Sequence, residues 1–140
     1  MKPFSIHIYG ADRIFYEGDC ESVSVPAVDG QYGILANHPN LITAIVPGTL
    51  YFRLPGEELR KAAVSGGIMK VEDSDVLILV DSVLWPEEID ERRARAAADA
   101  AKEAMLQKRS RQEYLSAQAQ LARAVSRLRL KDSYEKGGRR

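Results

Sequence analysis

The apolar pattern changes period once, at Pro86, and that break demands a chain of two unlike halves. Before it, Phe4, Ile6 and Ile8 alternate with Ser5, His7 and Tyr9, and Val23 and Val25 with Ser22 and Ser24. Leu50, Phe52 and Leu54 likewise alternate with Thr49, Tyr51 and Arg53. A period of two gives each segment one apolar face, as half-buried strands require. Asp29-Gly30, Pro47-Gly48, Pro55-Gly56 and Gly66-Gly67 punctuate these runs with turn chemistry, and Gly66-Gly67 reads as a turn or bulge between two strands. Short strands at such spacing predict a sandwich or barrel. Val76-Leu77-Ile78-Leu79-Val80 is apolar throughout, which predicts a central strand with its outer face also covered, by the helical hairpin.

After Pro86, residues 87–108 are rich in Ala, Glu and Arg and contain no Gly or Pro. Proline suits a helix start, and Glu87, Glu88, Asp90 and Glu91 place negative charge at the positive end of the helix dipole. Ala94, Ala97, Ala101, Ala104 and Met105 form the predicted apolar face, small enough for a second helix to approach closely. Ser110-Arg111-Gln112-Glu113 is a capping box that opens this second helix. Its predicted stripe is Tyr114, Ala117, Leu121, Val125 and Leu128. The expected class is therefore α+β: a β-sandwich of about ten short strands over 1–85, then an antiparallel helical hairpin over 86–133. Residues 134–140, with two glycines and three cations among them, are expected to form a disordered tail.

Charge separates along the chain. Residues 1–106 hold 10 Lys/Arg against 17 Asp/Glu, whereas 107–140 hold 10 against 3. A basic end on an otherwise acidic chain points to an anionic partner. Cys20 is the one cysteine, so no internal disulfide forms and a reducing compartment is expected. Met1 to Tyr9 lacks the apolar core of a signal peptide, and no run is long enough to span a bilayer, so membrane work would be peripheral. No phosphate-cradling glycine loop or dinucleotide fingerprint occurs, and His7 and His38 are not at metal-ligand spacing. No catalytic residue and no metal is assigned.

In an antiparallel hairpin turning near Arg109, residues equidistant from the turn lie side by side. Asp90 then falls near Leu128 and Arg93 near Val125, while Arg123 and Arg127 share a helical face. Asp90, Arg93, Arg123 and Arg127 therefore converge at the open end. Two arginines at that spacing repel, and a bound anion reverses the sign. An ordinary surface ion pair from Asp90 to Arg93 or Arg127 fits the same spacing.

Gly33-Ile34-Leu35-Ala36-Asn37-His38-Pro39, flanked by Val25-Pro26 and by Thr43-Ala44-Ile45-Val46-Pro47-Gly48, resembles the signature of the epsilon subunits of bacterial F-type ATP synthases. Ser65-Gly66-Gly67, Val71, Val76-Leu77-Ile78-Leu79 and Ile89-Asp90 continue the likeness in order, over roughly residues 3–131. The resemblance implies a sandwich with a C-terminal hairpin and a non-catalytic central-stalk role in proton-driven ATP synthesis. It also implies a peripheral position at the cytoplasmic face of the bacterial plasma membrane. Asp29, Gly30, Gln31 and Tyr32 would meet the membrane c-ring, and Gly10, His38, Leu41, Ile42 and Thr43 the gamma subunit. Gln31 replaces a carboxylate that some members carry, which removes a charge from the ring contact.

Ile89-Asp90-Glu91-Arg92-Arg93-Ala94 is similar to the ATP-binding motif of some of these subunits, with Arg123 and Arg127 as the matching second-helix arginines. No cofactor is required, and ATP is implied as a regulatory ligand that clamps the hairpin folded against the sandwich. Leu84 departs from members that place a carboxylate there. Lys108, Arg109, Arg111, Arg123, Arg127 and Arg129, with Lys131, would meet acidic segments of the catalytic beta and alpha subunits when the hairpin extends, and so inhibit hydrolysis. A second reading stays open, a stand-alone module whose basic helix engages nucleic acid or an acidic protein. Against nucleic acid stands the sparsity of aromatic residues in that helix, where only Tyr114 appears.

Overall fold

Alternation and turn chemistry produce ten strands and two long helices among the described residues, 2–107 and 110–136, of a computed structural model. The chain divides into two compact units, one ending at Trp85 and the other beginning at Pro86.

The first unit contains β1 (Phe4–Tyr9), β2 (Ile14–Cys20), β3 (Ser22–Ala27), β4 (Gly30–Ile34) and β5 (Leu41–Ile45). It continues with β6 (Gly48–Arg53), β7 (Leu59–Val64), β8 (Gly67–Glu72), β9 (Asp75–Val80) and β10 (Val83–Leu84). One sheet has the order β2-β1-β9-β8-β5 and the other β10-β7-β6-β3-β4. All pairings are antiparallel except β1 with β9, where Ser5 to Tyr9 run parallel to Asp75 to Leu79. Inward residues of both sheets form one core, including Ile6, Ile8, Val25, Leu50, Phe52, Met69 and Ile78, all fully buried. Phe15 packs on Trp85 with ring centroids 4.2 Å apart.

Gly66-Gly67 carries the chain from one sheet to the other. A Cβ on Gly67 would stand 2.0 Å from the Leu79 carbonyl oxygen, so only glycine fits there. Ser65 is buried and its hydroxyl accepts the Ser82 N–H at 2.7 Å, which gives it a structural task.

The expectation for Val76 to Val80 needs correction. Val76, Ile78 and Val80 point into the core, but Leu77 is half-buried and Leu79 is 39% exposed. The outer face of this central strand is open at Leu79.

In the second unit Pro86–Glu88 forms a single 3-10 turn, α1 spans Glu91–Gln107 and α2 spans Arg111–Lys136. The helix expected to begin at Pro86 thus begins five residues later, because Asp90 supplies the cap. Its carbonyl accepts the Ala94 N–H at 3.0 Å, and its carboxylate accepts the Arg93 N–H at 3.2 Å. The Ser110 cap is present, with the Glu113 N–H donating to Ser110 Oγ at 3.0 Å. The tail is also corrected: residues 134–136 are the end of α2, while 137–140 lie outside the described residues.

The buried face of α1 is Ala94, Ala98 and Ala101 with half-buried Met105, whereas Ala97 and Ala104 are exposed. On α2, Tyr114, Ala117, Leu121, Ala124 and Leu128 are buried or half-buried at steps of three and four. The two helices pack on each other. Ala94 and Ala124, and likewise Ala101 and Ala117, are equidistant from the link, so the seam is built largely of alanine.

Candidate functional site

At the open end of the hairpin, α1 begins with Ile89 and Ala94 buried on either side of the Asp90 cap. Those are the N′ and N4 positions that pair in a hydrophobic staple. Arg93, in the first turn, is exposed, while Arg123 and Arg127 on α2 are half-buried. The Arg127 guanidinium is held below its ordinary basicity, first by burial and then by the charges of Arg123 and Arg93. Arg93 from α1 and Arg123 from α2 thus both act on Arg127. Guanidinium groups match phosphate oxygens in shape and charge. The Asp90 carboxylate accepts the Arg93 backbone N–H and so caps α1.

The basic set of α2 divides. Arg123 and Arg127 belong to the cluster, and Lys131 Nζ donates to the Pro86 carbonyl at 3.3 Å. Arg111 and Arg129 are exposed. Lys108 and Arg109 lie outside the described residues. Leu84, at the position of the missing carboxylate, is half-buried in β10 beside Ala63.

Asp29, Gly30, Gln31 and Tyr32 occupy the tip and first residues of the β3–β4 hairpin, all exposed. Gly30 adopts φ 118°, which closes the turn with a conformation glycine favours. Gln31 is oriented by donating from Nε2 to Ser24 Oγ at 2.9 Å and to the Thr49 carbonyl at 3.3 Å. Val28 joins this tip, exposed and unforeseen from spacing.

The five residues matched to the gamma contact do not form one patch. Gly10 ends β1, its N–H donating to the Arg13 carbonyl at 2.9 Å. His38 donates from Nδ1 to the Pro39 carbonyl at 2.7 Å, which leaves Nε2 to accept from the Tyr32 hydroxyl at 3.4 Å. Leu41 and Thr43 stand opposite buried Val71 and Met69 and share their inward face. Ile42 alone of the three strand residues projects outward, 70% exposed.

Sequence reasoning missed the row beside Ile42. Register places Ile14, Tyr9, Leu79, Ile68 and Ala44 side by side across all five strands of that sheet. Ile14 is 66% and Ile68 44% exposed. The signal was present in the unbroken apolar run of β9, whose outward residues needed a partner. Further along the same face, His7 Nδ1 lies 3.0 Å from Glu17 and Nε2 3.5 Å from Asp75. The Tyr9 hydroxyl donates to Glu17, and this bond, then the one with His7, holds the Glu17 carboxyl below its usual range.

Residues 3–86 match the family described as ATP synthase, Delta/Epsilon chain, beta-sandwich domain, and residues 87–132 match the corresponding long alpha-helix domain. The chain is 43% identical over 135 residues to the ATP synthase epsilon chain of Caldanaerobacter subterraneus subsp. tengcongensis, covering 96% of this chain and 97% of the relative. It is 39% identical over 137 residues to that of Caldicellulosiruptor saccharolyticus, covering 98% and 99%. Among solved structures, a chain of the Euglena gracilis mitochondrial ATP synthase superposes with a TM-score of 0.76 at 20% identity, over 89% of this chain and 78% of that one. A chain from the central stalk and c-ring of the Tetrahymena thermophila enzyme gives 0.65 at 14% identity, over 91% and 95%. At these identities the two structures speak to the fold.

Proposed function

The chain belongs to the ATP synthase epsilon chain family, and on that premise we propose that it is a non-catalytic central-stalk subunit that couples the gamma subunit to the membrane c-ring and restrains ATP hydrolysis through its helical hairpin. The observation that carries the regulatory part is placement: exposed Arg93 in the first turn of α1 and half-buried Arg123 on α2 both lie close enough to act on half-buried Arg127, so both helices bring cations to one end of the hairpin. The triphosphate of ATP supplies the opposite charge and holds the two helices together at that end. A ligand shifts a conformational equilibrium only through differential affinity. ATP binding the closed hairpin therefore relieves inhibition when ATP is plentiful. In the open hairpin, Arg111 and Arg129 meet acidic segments of the catalytic beta and alpha subunits, an attraction that salt screens.

The coupling part uses the first unit. The outward row of Ile14, Tyr9, Leu79 and Ile68, with Ile42, offers gamma an apolar strip, and the β3–β4 tip meets the ring. The subunit works peripherally, at the cytoplasmic face of a bacterial plasma membrane in proton-driven synthesis. Among the described residues no helix is long and apolar enough to cross a membrane. The nucleic-acid reading of α2 loses ground, because Arg123 and Arg127 face Arg93 and Lys131 bonds to Pro86.

The test is a chain ending at Trp85, reassembled with the remaining subunits. Hydrolysis is expected to rise and to lose its dependence on preincubation with ATP. Unchanged activity and unchanged ATP response would overturn the regulatory role.

A further inference from the structure

We propose that Lys131 is a latch: its bond to the Pro86 carbonyl sets the balance between closed and open hairpin, and the residue is not one of the cations that meet the catalytic subunits. This rests on the regulatory reading above and does not depend on ATP.

In sequence Lys131 is one more cation of a basic helix. The structure separates it from the others. α2 has 26 residues and α1 has 17, so α2 runs on past the start of its neighbour. Counted from the link, Lys131 is level with Glu87, ahead of the first residue of α1. What it meets there is the 3-10 turn Pro86–Glu88, which packs against α2. Lys131 is half-buried, between buried Leu130 and the buried Pro86, whereas Arg129 is exposed. Its Nζ donates to the Pro86 carbonyl at 3.3 Å.

That carbonyl already closes the turn, accepting the Ile89 N–H at 3.2 Å. A carbonyl oxygen has a second lone pair, and the ammonium takes it. Pro86 is the first residue of the second unit, and Lys131 lies near the end of its last helix. The bond therefore ties the entry of the hairpin to its exit, and α2 cannot leave α1 while it holds.

Local charge gives the latch something to oppose. Arg127, one turn before Lys131, is acted on by Arg123 and by Arg93 of α1. Like charges at one end of the hairpin favour its opening. An ammonium held by a neutral carbonyl supplies a modest restraint that can release and re-form.

The experiment uses the full-length chain reassembled with the remaining subunits. Spin labels are placed on Ala97→Cys and Gln120→Cys, exposed positions of α1 and α2, while Cys20 is buried. Their separation reads the ratio of closed to open hairpins. Salt weakens the contacts of the open state, so it is raised until the parent shows both forms equally. At that salt Lys131→Met is expected to lower the closed-to-open ratio about fivefold, and hydrolysis with it. Lys131→Arg keeps a cationic donor and is expected within about twofold of the parent. Arg129→Gln removes a cation two residues away that has no part in the latch, and should raise the ratio. If Lys131→Met leaves the ratio unchanged or raises it, as loss of a contact to the catalytic subunits would, the latch is wrong and the regulatory reading stands. A parent that keeps one form at every salt, or a chain ending at Trp85 that leaves hydrolysis unchanged, refutes the regulatory reading, and the inference falls with it. Lys131→Gln, too short to reach the carbonyl, repeats the comparison should methionine disturb the fold of α2.

Discussion

The Lys131 ammonium donates to the Pro86 carbonyl across 3.3 Å and 45 residues, closing the open end of the hairpin with one charge-assisted bond. Replacing Lys131 with Met removes the bond and keeps most of the stem. A loss of about 1 kcal/mol is expected, and faster amide exchange in the last turns of α2. Hydrogen exchange followed residue by residue checks this, with exchange at the link end of the hairpin unchanged.

Arg123→Gln removes a like charge that acts on Arg127. The ligand-free chain should gain roughly 0.3 kcal/mol, a small effect because the group is partly solvated. ATP affinity should fall about tenfold, since a charged hydrogen bond to phosphate is lost. Denaturant melts and calorimetry on the same preparation read the two opposite signs.

The alanine seam leaves no room for larger side chains. Ala101 and Ala117, equidistant from the link, are 1% and 3% exposed. Ala101→Leu should cost about 1–3 kcal/mol by overpacking. The loss should be confined to the helical signal in thermal melts monitored by circular dichroism.

Glu17 gives the sandwich an acid limb. Its folded carboxyl is held below the unfolded value, first by the Tyr9 hydroxyl and then by His7. A depressed carboxylate contributes stability that is present above the unfolded pKa and is lost as pH falls through the folded one. Glu17→Gln should therefore melt below the parent at pH 6, and the gap should close as pH drops below about 4. A gap that stays constant with pH refutes the assignment.

Ile42→Asp and Ile68→Asp place charge on the outward row. Each should change folding stability by about 1 kcal/mol or less, since neither side chain is in the core. Each should sharply reduce co-purification with the gamma subunit. Intact assembly by both variants would move the gamma contact elsewhere.

The strands were legible because Phe4 to Ile8 and Leu50 to Leu54 alternate cleanly, and the hairpin because Ser110 to Glu113 announces a second start. Strand order was not legible, since period two says which face is buried but not which neighbour pairs with it. The choice between Ala97 and Ala98 was ambiguous for a related reason: in a run of alanines every helical face looks apolar. Arg93, Arg123 and Arg127 were found by counting from the turn, which needs only an antiparallel hairpin. The role of Asp90 escaped that counting, because a cap and an ion pair share one spacing. The row from Ile14 to Ala44 escaped it because its members come from five separate strands and meet only through register.

The parallel pairing of β1 with β9 has a consequence for biosynthesis. β1 leaves the ribosome early and can zip with β2 at once, yet its other edge must wait for Asp75 to Leu79. At ~5–20 residues per second that wait lasts on the order of several seconds. Throughout it the nascent chain displays a naked, half-apolar strand edge. A holdase that covers the first few dozen residues should therefore raise the soluble yield of this subunit more than one that acts after release.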